Sequence, residues 1–252
     1  MLGQQKSAKL HYIGRLDDVF SRTFPRKCPI CRYRGFFLSS GLQNRPEAMC
    51  PQCGSVERHR LLYLAITQHE RCMLAGKNVL HFAPERCIEG FARRAAKSYF
   101  TTDLSTGNEA LDITHNVDFA TDMTNIGLSN NALDVIICNH VLDQVSDDTA
   151  ALKELFRIIR PHGVAIITVQ VVDGWEKTFE DPSIQSDLDR LKYYDHQSRV
   201  RYYGRDFVTR MESAGFVTEI FQPHFSTYSE YGLIAGDKIF IGHKPITSVE
   251  DG

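Results

Sequence analysis

The chain has 252 residues, with 29 Lys and Arg against 31 Asp and Glu, and 42% of it is apolar. That is enough for one full α/β domain plus an appendage, and a net charge of -2 excludes a uniformly basic nucleic-acid coat. No apolar run approaches the ~18–20 residues of a membrane helix, and residues 1–14 hold no apolar signal-peptide core, so a soluble, cytoplasmic protein is expected. The charge is uneven. Residues 1–60 carry 11 basic and 4 acidic side chains, +7, and residues 61–252 carry 18 and 27, -9.

The basic front end contains two cysteine pairs, Cys28-Pro29-Ile30-Cys31 and Cys50-Pro51-Gln52-Cys53, with 18 residues between them. Each short spacing turns two sulfurs toward one ion, so the pattern predicts a tetrahedral four-thiolate site for structural zinc, with iron as the other metal it would suit. Four protein ligands close the coordination sphere, which makes the site structural rather than catalytic. Arg22, Arg26, Lys27, Arg32, Arg34 and Arg45 surround it, either as a solvated surface or as a face for phosphate, RNA or acidic sugar. Residues 1–57 are read as this module and 58–246 as the main domain, with a tail at 247–252.

Beyond the module the chain alternates between helical and extended patterns. A helix is expected from Arg58 to Gln68, a strand over Asn78–Ala83, a helix around Ile88–Lys97 and a strand at Ser98–Asp103. A short extended piece, Val117–Met123, precedes a strong strand, Leu133–Asn139. Asp147 and Asp148 open a helix through Arg160 that places Leu152, Leu155, Phe156 and Ile159 on one face. Pro161-His162-Gly163 should stop it, before a buried parallel strand over Val164–Val172. Residues 172–204 are long for a connection and read as a substrate or lid insertion. A helix over Arg205–Ala214 and strands at Phe216–Phe221 and Lys238–His243 complete the pattern. Such alternation predicts a mostly parallel sheet with helices on both faces and ligand at the strands' carboxyl ends.

The run Leu133-Asp-Val-Ile-Ile-Cys-Asn-His-Val-Leu142, the helix over Asp147–Arg160, Pro161-His-Gly163 and Val164-Ala-Ile-Ile-Thr168 resemble a class I S-adenosylmethionine-dependent methyltransferase. The likeness covers roughly residues 76–172 and implies a Rossmann-like sheet of seven strands. Cysteine pairs ahead of such a domain are similar to zinc-bearing members of the family, some ribosomal RNA guanine methyltransferases among them.

A carboxylate ending the second strand can accept both ribose hydroxyl protons, and Asp103, followed by Leu104, stands there. Asp122 with the Met123 backbone resembles the family's adenine clamp, with Asp118 as the rival. The first loop departs from the pattern. It reads Val79-Leu80-His81-Phe82-Ala83-Pro84-Glu85-Arg86, with His81 where the family carries an acid and Ala83 as the one small residue, so positive φ angles are less available. Glu85 is then the candidate for the cofactor's ammonium, and His81 or Arg86 for its carboxylate. Asn139 ends the fourth strand and completes the cofactor set.

Methyl transfer is an in-line displacement that needs positioning and, for protonated nucleophiles, a base. His140 and His196 are the base candidates, His140 serving equally as a packing residue. Cys138 is a conceivable nucleophile, although a buried strand cysteine is the plainer reading. Tyr194, Arg199, Arg201 and Tyr203 in the insertion are the substrate candidates, suited to an anionic or sugar-like molecule. The leading expectation is a methyltransferase for a small molecule or carbohydrate. An RNA methyltransferase and a non-catalytic binding protein on the same fold are the alternatives.

Overall fold

The computed structural model describes residues 25–41, 45–103 and 117–246. The described residues fall into two compact units, one lying within residues 1–63 with 223–235 and one within residues 64–222 with 236–252. The sequence reading assigned 223–235 to the main domain, whereas these residues pack with the cysteine module. The helix α1, Glu57–Gln68, carries the chain from the first unit into the second.

In the first unit, β1 (Arg26–Lys27) pairs antiparallel with β2 (Arg34–Gly35), and β3 (Leu38–Ser40) with β4 (Arg45–Met49). Each cysteine pair forms a tight turn after a strand. Arg32 N–H bonds the Cys28 carbonyl and Gly54 N–H that of Cys50, both at 2.9 Å, with Arg32 and Gly54 in the left-handed region. Arg60 is the internal brace. Its buried guanidinium donates to the carbonyls of Ala48, Ser55, Tyr231 and Gly232, at 2.6 to 3.0 Å, and lies 4.6 Å over the Phe37 ring. Burial pulls its pKa down, against the charges of Glu57 and the cysteines.

The second unit is built on a seven-stranded sheet, β5 (Asn78–Phe82), β6 (Ser98–Asp103), β7 (Phe119–Ala120), β8 (Leu133–Asn139), β9 (Ile159–Thr168), β12 (Val217–Phe221) and β13 (Ile239–His243). Its order is β12-β13-β9-β8-β5-β6-β7. β13 runs antiparallel to both neighbours and the pairs from β9 to β7 are parallel. Helices α2 (Arg86–Ala95), α3 (Asp148–Ile158), α4 (Asp187–Tyr194) and α5 (Phe207–Ser213) connect them, and β10 (Phe179–Glu180) pairs with β11 (Arg201–Tyr202) apart from the main sheet. α6, Ser226–Tyr231, belongs to the first unit.

The core joins Leu80, Ile136 and Ile167 of the strands to Leu152 and Leu155 of α3 and Phe207 and Met211 of α5. Glu154 and Arg157, one turn apart on α3, bind the backbone of residues 126–128 and fasten the chain before β8. The strand expected at Val164–Val172 instead runs from Ile159 to Thr168. α3 ends at Ile158, and the strand starts at once, with a bulge at residues 160–163. Two steps along β8, Leu133 to Val135, face five along β9, Ile159 to Val164. His162 is left-handed, at φ 64°. Gly163 is crowded, since a β-carbon there would sit 2.6 Å from Ile159 Cγ2 and 2.9 Å from two carbonyl oxygens.

Candidate active site

The carboxyl ends of β5, β6, β7 and β8 lie side by side, so the loops after them share one edge of the sheet. Ala83, just past β5, has φ 47° and donates its N–H to the Thr102 carbonyl at 2.8 Å. The glycine-free loop therefore does adopt the positive φ that the sequence argued against. An alanine held there costs about 1 kcal/mol, and the neighbouring strand's carbonyl offsets it.

Three of the sequence-predicted residues, Asp103, Asp122 and Met123, stand on this edge. Asp103 ends β6 with an exposed side chain, and its carbonyl accepts from Thr121 N–H at 3.2 Å. Asp122 is exposed in the turn after β7, where Thr124 N–H and Oγ1 donate to its carboxylate at 2.8 and 2.7 Å. These bonds hold its pKa below the usual range. Met123 beside it is buried. Asp118, the rival, is taken up by Thr101, whose N–H and hydroxyl donate at 2.7 and 2.8 Å. Burial pushes its carboxyl up, but these bonds and Arg93 outweigh it. Leu104 lies outside the described residues, as does Arg22.

His81 is fully buried, with Nδ1 2.7 Å from Tyr99 Oη and Nε2 3.1 Å from Glu85 Oε2. Asn139 Nδ2 donates to Glu85 Oε1, and Thr168 Oγ1 donates to Asn139 Oδ1. His81, Glu85 and Asn139 are thus brought into one polar chain, to which the sequence reading had not assigned Tyr99 or Thr168. Thr168 faces Asn139 in the β8–β9 register, a relation visible only once the strands are paired.

His140 follows β8 in a left-handed conformation, φ 56°, and donates its N–H to the Thr168 carbonyl at 2.9 Å. Cys138 before it is fully buried, and burial pushes its thiol up to about 12. A thiol so protonated is a poor nucleophile. His196 is exposed in the turn between α4 and β11, its Nδ1 accepting from Ser198 N–H at 3.2 Å.

The insertion is bound onto residues 142–148 by buried ionic ties. Arg199 Nε donates to buried Asp143 at 2.7 Å, and its Nη1 to the Tyr194 carbonyl at 2.8 Å. Burial opposes the charge on Arg199, but Asp143 outweighs it and its pKa is raised. Arg201 is buried and donates to Glu180 at 2.8 Å and to the carbonyls of Leu142 and Ser146 at 3.0 and 2.7 Å. Tyr203 Oη donates to Asp148 at 2.9 Å, and Arg210 Nη1 reaches both Asp148 oxygens at 3.0 Å. Tyr194 is buried against Phe179 and Tyr202, its hydroxyl accepting from Asp181 N–H at 3.0 Å. The structure thus corrects the expectation that Tyr194, Arg201 and Tyr203 present polar groups to a substrate: those groups bind the chain itself.

In the cysteine module the sulfurs of Cys28, Cys31, Cys50 and Cys53 lie within 4.8 Å of one another, with Cys28–Cys53 and Cys31–Cys50 at 3.6 Å. Four sulfurs ~2.3 Å from one ion at tetrahedral angles stand ~3.8 Å apart, whereas a disulfide needs ~2.05 Å. Burial pushes the thiols of Cys31 and Cys50 up. It also opposes ionisation of Cys28, where hydrogen bonds from Ser55 and nearby backbone outweigh it.

Residues 84–167 match a family described as a methyltransferase domain, which takes in the chain from the loop after β5 to the end of β9. Among solved structures, the YcgJ protein of Bacillus subtilis is similar at TM-score 0.53 and 14% identity, covering 75% of this chain and 100% of its own. An S-adenosylmethionine-dependent methyltransferase of Mesorhizobium loti aligns at TM-score 0.47 and 12% identity, over 68% and 92%. A phosphoethanolamine N-methyltransferase of Haemonchus contortus, in complex with phosphomonomethylethanolamine and S-adenosylhomocysteine, aligns at TM-score 0.49 and 13% identity, over 75% and 53%. No curated protein sequence matches. Residues 84–167 thus match a methyltransferase-domain family, and the seven-stranded sheet that holds them shares its fold with the YcgJ protein.

Proposed function

We propose that the chain methylates a small molecule or carbohydrate, and that its cysteine module is held by structural zinc. The acceptor class rests on the insertion, where Asp143 holds Arg199 and Asp148 holds Tyr203 beside the end of β8. A fixed wall there suits a compact acceptor, whose positioning supplies much of the rate.

S-adenosylmethionine, when bound, supplies a methyl group on a positively charged sulfur. Asp103 is assigned the two ribose hydroxyls, Asp122 and the Met123 N–H the adenine edge, and Glu85 the ammonium. The positive φ at Ala83 suits the residues to this group, because it turns the chain after β5 without closing the strand edge. His140 or His196 takes the acceptor's proton.

In the cysteine module a doubly charged ion would offset the repulsion among four thiolates and cross-link a unit too small to build a large core.

One observation favours RNA as a second reading. Arg26, Lys27 and Arg45 are paired with Glu47, Glu230 and Glu57, but Arg32 and Arg34 are exposed and are followed, at the same every-second-residue spacing, by Phe36 and Leu38, themselves 58% and 50% exposed. Two exposed cations beside an exposed aromatic ring suit phosphates and stacked bases. Transfer of labelled methyl groups to a panel of sugars, small acids and amines, and total RNA separates the readings. Label is expected in a small acceptor. Label in RNA alone, with affinity falling steeply as salt rises, would overturn the acceptor class.

A further inference from the structure

The polar chain behind the first loop has a direction that its chemistry fixes. Glu85 as a carboxylate can only accept hydrogen bonds. In a neutral His81 a bare Nε2 lone pair 3.1 Å from Glu85 Oε2 would be repelled, so the single ring proton is placed on Nε2, in an off-axis contact with that oxygen. Nδ1 is then left to Tyr99, whose hydroxyl is 2.7 Å away. Burial pushes that phenol's ionisation far up, so Tyr99 retains the proton it can donate.

The other side obeys the same rule. Asn139 must turn its NH2 to the carboxylate, which leaves its oxygen for the Thr168 hydroxyl, as observed. Asn139 of β8 donates to Glu85 and His81 of β5 lies against its other oxygen, with Thr168 of β9 and Tyr99 of β6 bonded behind them. Tyr99, His81, Asn139 and Thr168 are all buried, but the Glu85 side chain is 12% exposed. The one anion of the cluster is therefore the member that meets the surface, at the start of α2. His81 occupies the position where an acid is usual and is too deeply buried to serve. The acid has moved four residues along, to a place that needs support from behind.

We propose that Glu85 anchors an alkylammonium group, and that Tyr99 and Thr168 are positioning residues acting through His81 and Asn139. The proposal rests on the cofactor reading and adds to it a selection rule. Ligands with the amino-acid tail should be preferred over the same nucleoside without it, and this preference should depend on residues on both sides of Glu85.

Calorimetric titration with S-adenosylhomocysteine and with methylthioadenosine, which shares the nucleoside and thioether but lacks the tail, tests this without turnover. Glu85→Gln should weaken S-adenosylhomocysteine about 10- to 100-fold, the usual loss for a charged hydrogen bond, and leave methylthioadenosine within about 2-fold. Tyr99→Phe and Thr168→Val should each weaken only the tailed ligand, by roughly 3- to 10-fold, and Thr168→Ser should restore it. Thermal melts identify any variant that merely fails to fold, and Thr168→Ser keeps the test alive in that case. A wild-type protein that binds neither nucleoside overturns the cofactor reading and the proposal with it. A wild-type protein that binds both, with Glu85→Gln affecting the two equally or not at all, overturns the Glu85 assignment alone. Wild-type-like discrimination in Tyr99→Phe and Thr168→Val, with Glu85→Gln impaired, overturns the positioning role.

Discussion

Asp148 is a buried carboxylate that ties the insertion and α5 to the start of α3. It is 3% exposed, opens α3, accepts from Tyr203 Oη at 2.9 Å and takes both oxygens to Arg210 at 3.0 Å. In Asp148→Ala, Tyr203 keeps the Leu142 carbonyl at 3.2 Å, so its loss is about 1 kcal/mol. Arg210 retains Glu180 at 3.3 Å and Asp206 at 3.5 Å. Its guanidinium is partly exposed, so the loss of that pair is also only about 1 kcal/mol after solvent screening. Removing an acid from the first turn of a helix adds about 0.5 kcal/mol. The total, about 2.5 kcal/mol, corresponds to a fall in Tm of roughly 5–10 °C for a domain of this size. Urea denaturation of wild type, Asp148→Ala, Tyr203→Phe and the double variant measures it. Because the two residues share a bond, the double variant should lose about 1 kcal/mol less than the sum of the singles. A single variant within about 0.5 kcal/mol of wild type, or a strictly additive cycle, would refute the view that Asp148 fastens the insertion.

Asp103→Ala should weaken S-adenosylhomocysteine about 10- to 100-fold, as expected for lost bonds from two ribose hydroxyls, with the metal content unchanged; unaltered titration removes Asp103 from the site. Metal analysis should find about one zinc per chain, lost in Cys50→Ser together with protease resistance of the cysteine module; a folded, metal-free wild type argues against the ion. Cys138 should resist alkylation in the native protein and react on unfolding, and Cys138→Ala should keep methyl transfer; loss of transfer in a folded variant would restore the thiol as a reactant. Acid should destabilise the domain through Glu154. Its folded pKa is depressed, mainly by the hydrogen bond from Arg157, so its contribution is complete above the unfolded value of ~4.3 and lost as pH falls through the folded one. Glu154→Gln should flatten the stability profile in that acid window, and an unchanged slope would count against the pair.

The elements read most closely from the sequence are those whose signal is local. Ser98–Asp103 and Leu133–Asn139 have the bounds expected of them, the first from its aromatic and β-branched residues and the second from its apolar run. The paired Cys-x-x-Cys turns were legible for a similar reason: two ligands three residues apart need no distant partner to be recognised. The bulge that starts β9 five residues early was not, because its room is set by Asp134 and Ile159 on adjoining strands.

The site divides in the same way. Sequence alone determined the chemistry available at the strand ends: a carboxylate after β6, an acid displaced to Glu85, a histidine after β8. Only the tertiary structure decided what each group faces. Arg199 and Asp143 are 56 residues apart in the chain, as are His81 and Tyr99 by 18, and no local pattern announces that the first pair fixes a wall and the second aims a carboxylate. A side chain's type is written in the sequence. Whether its charge is spent within the fold or left for a ligand depends on partners that only folding brings within 3 Å.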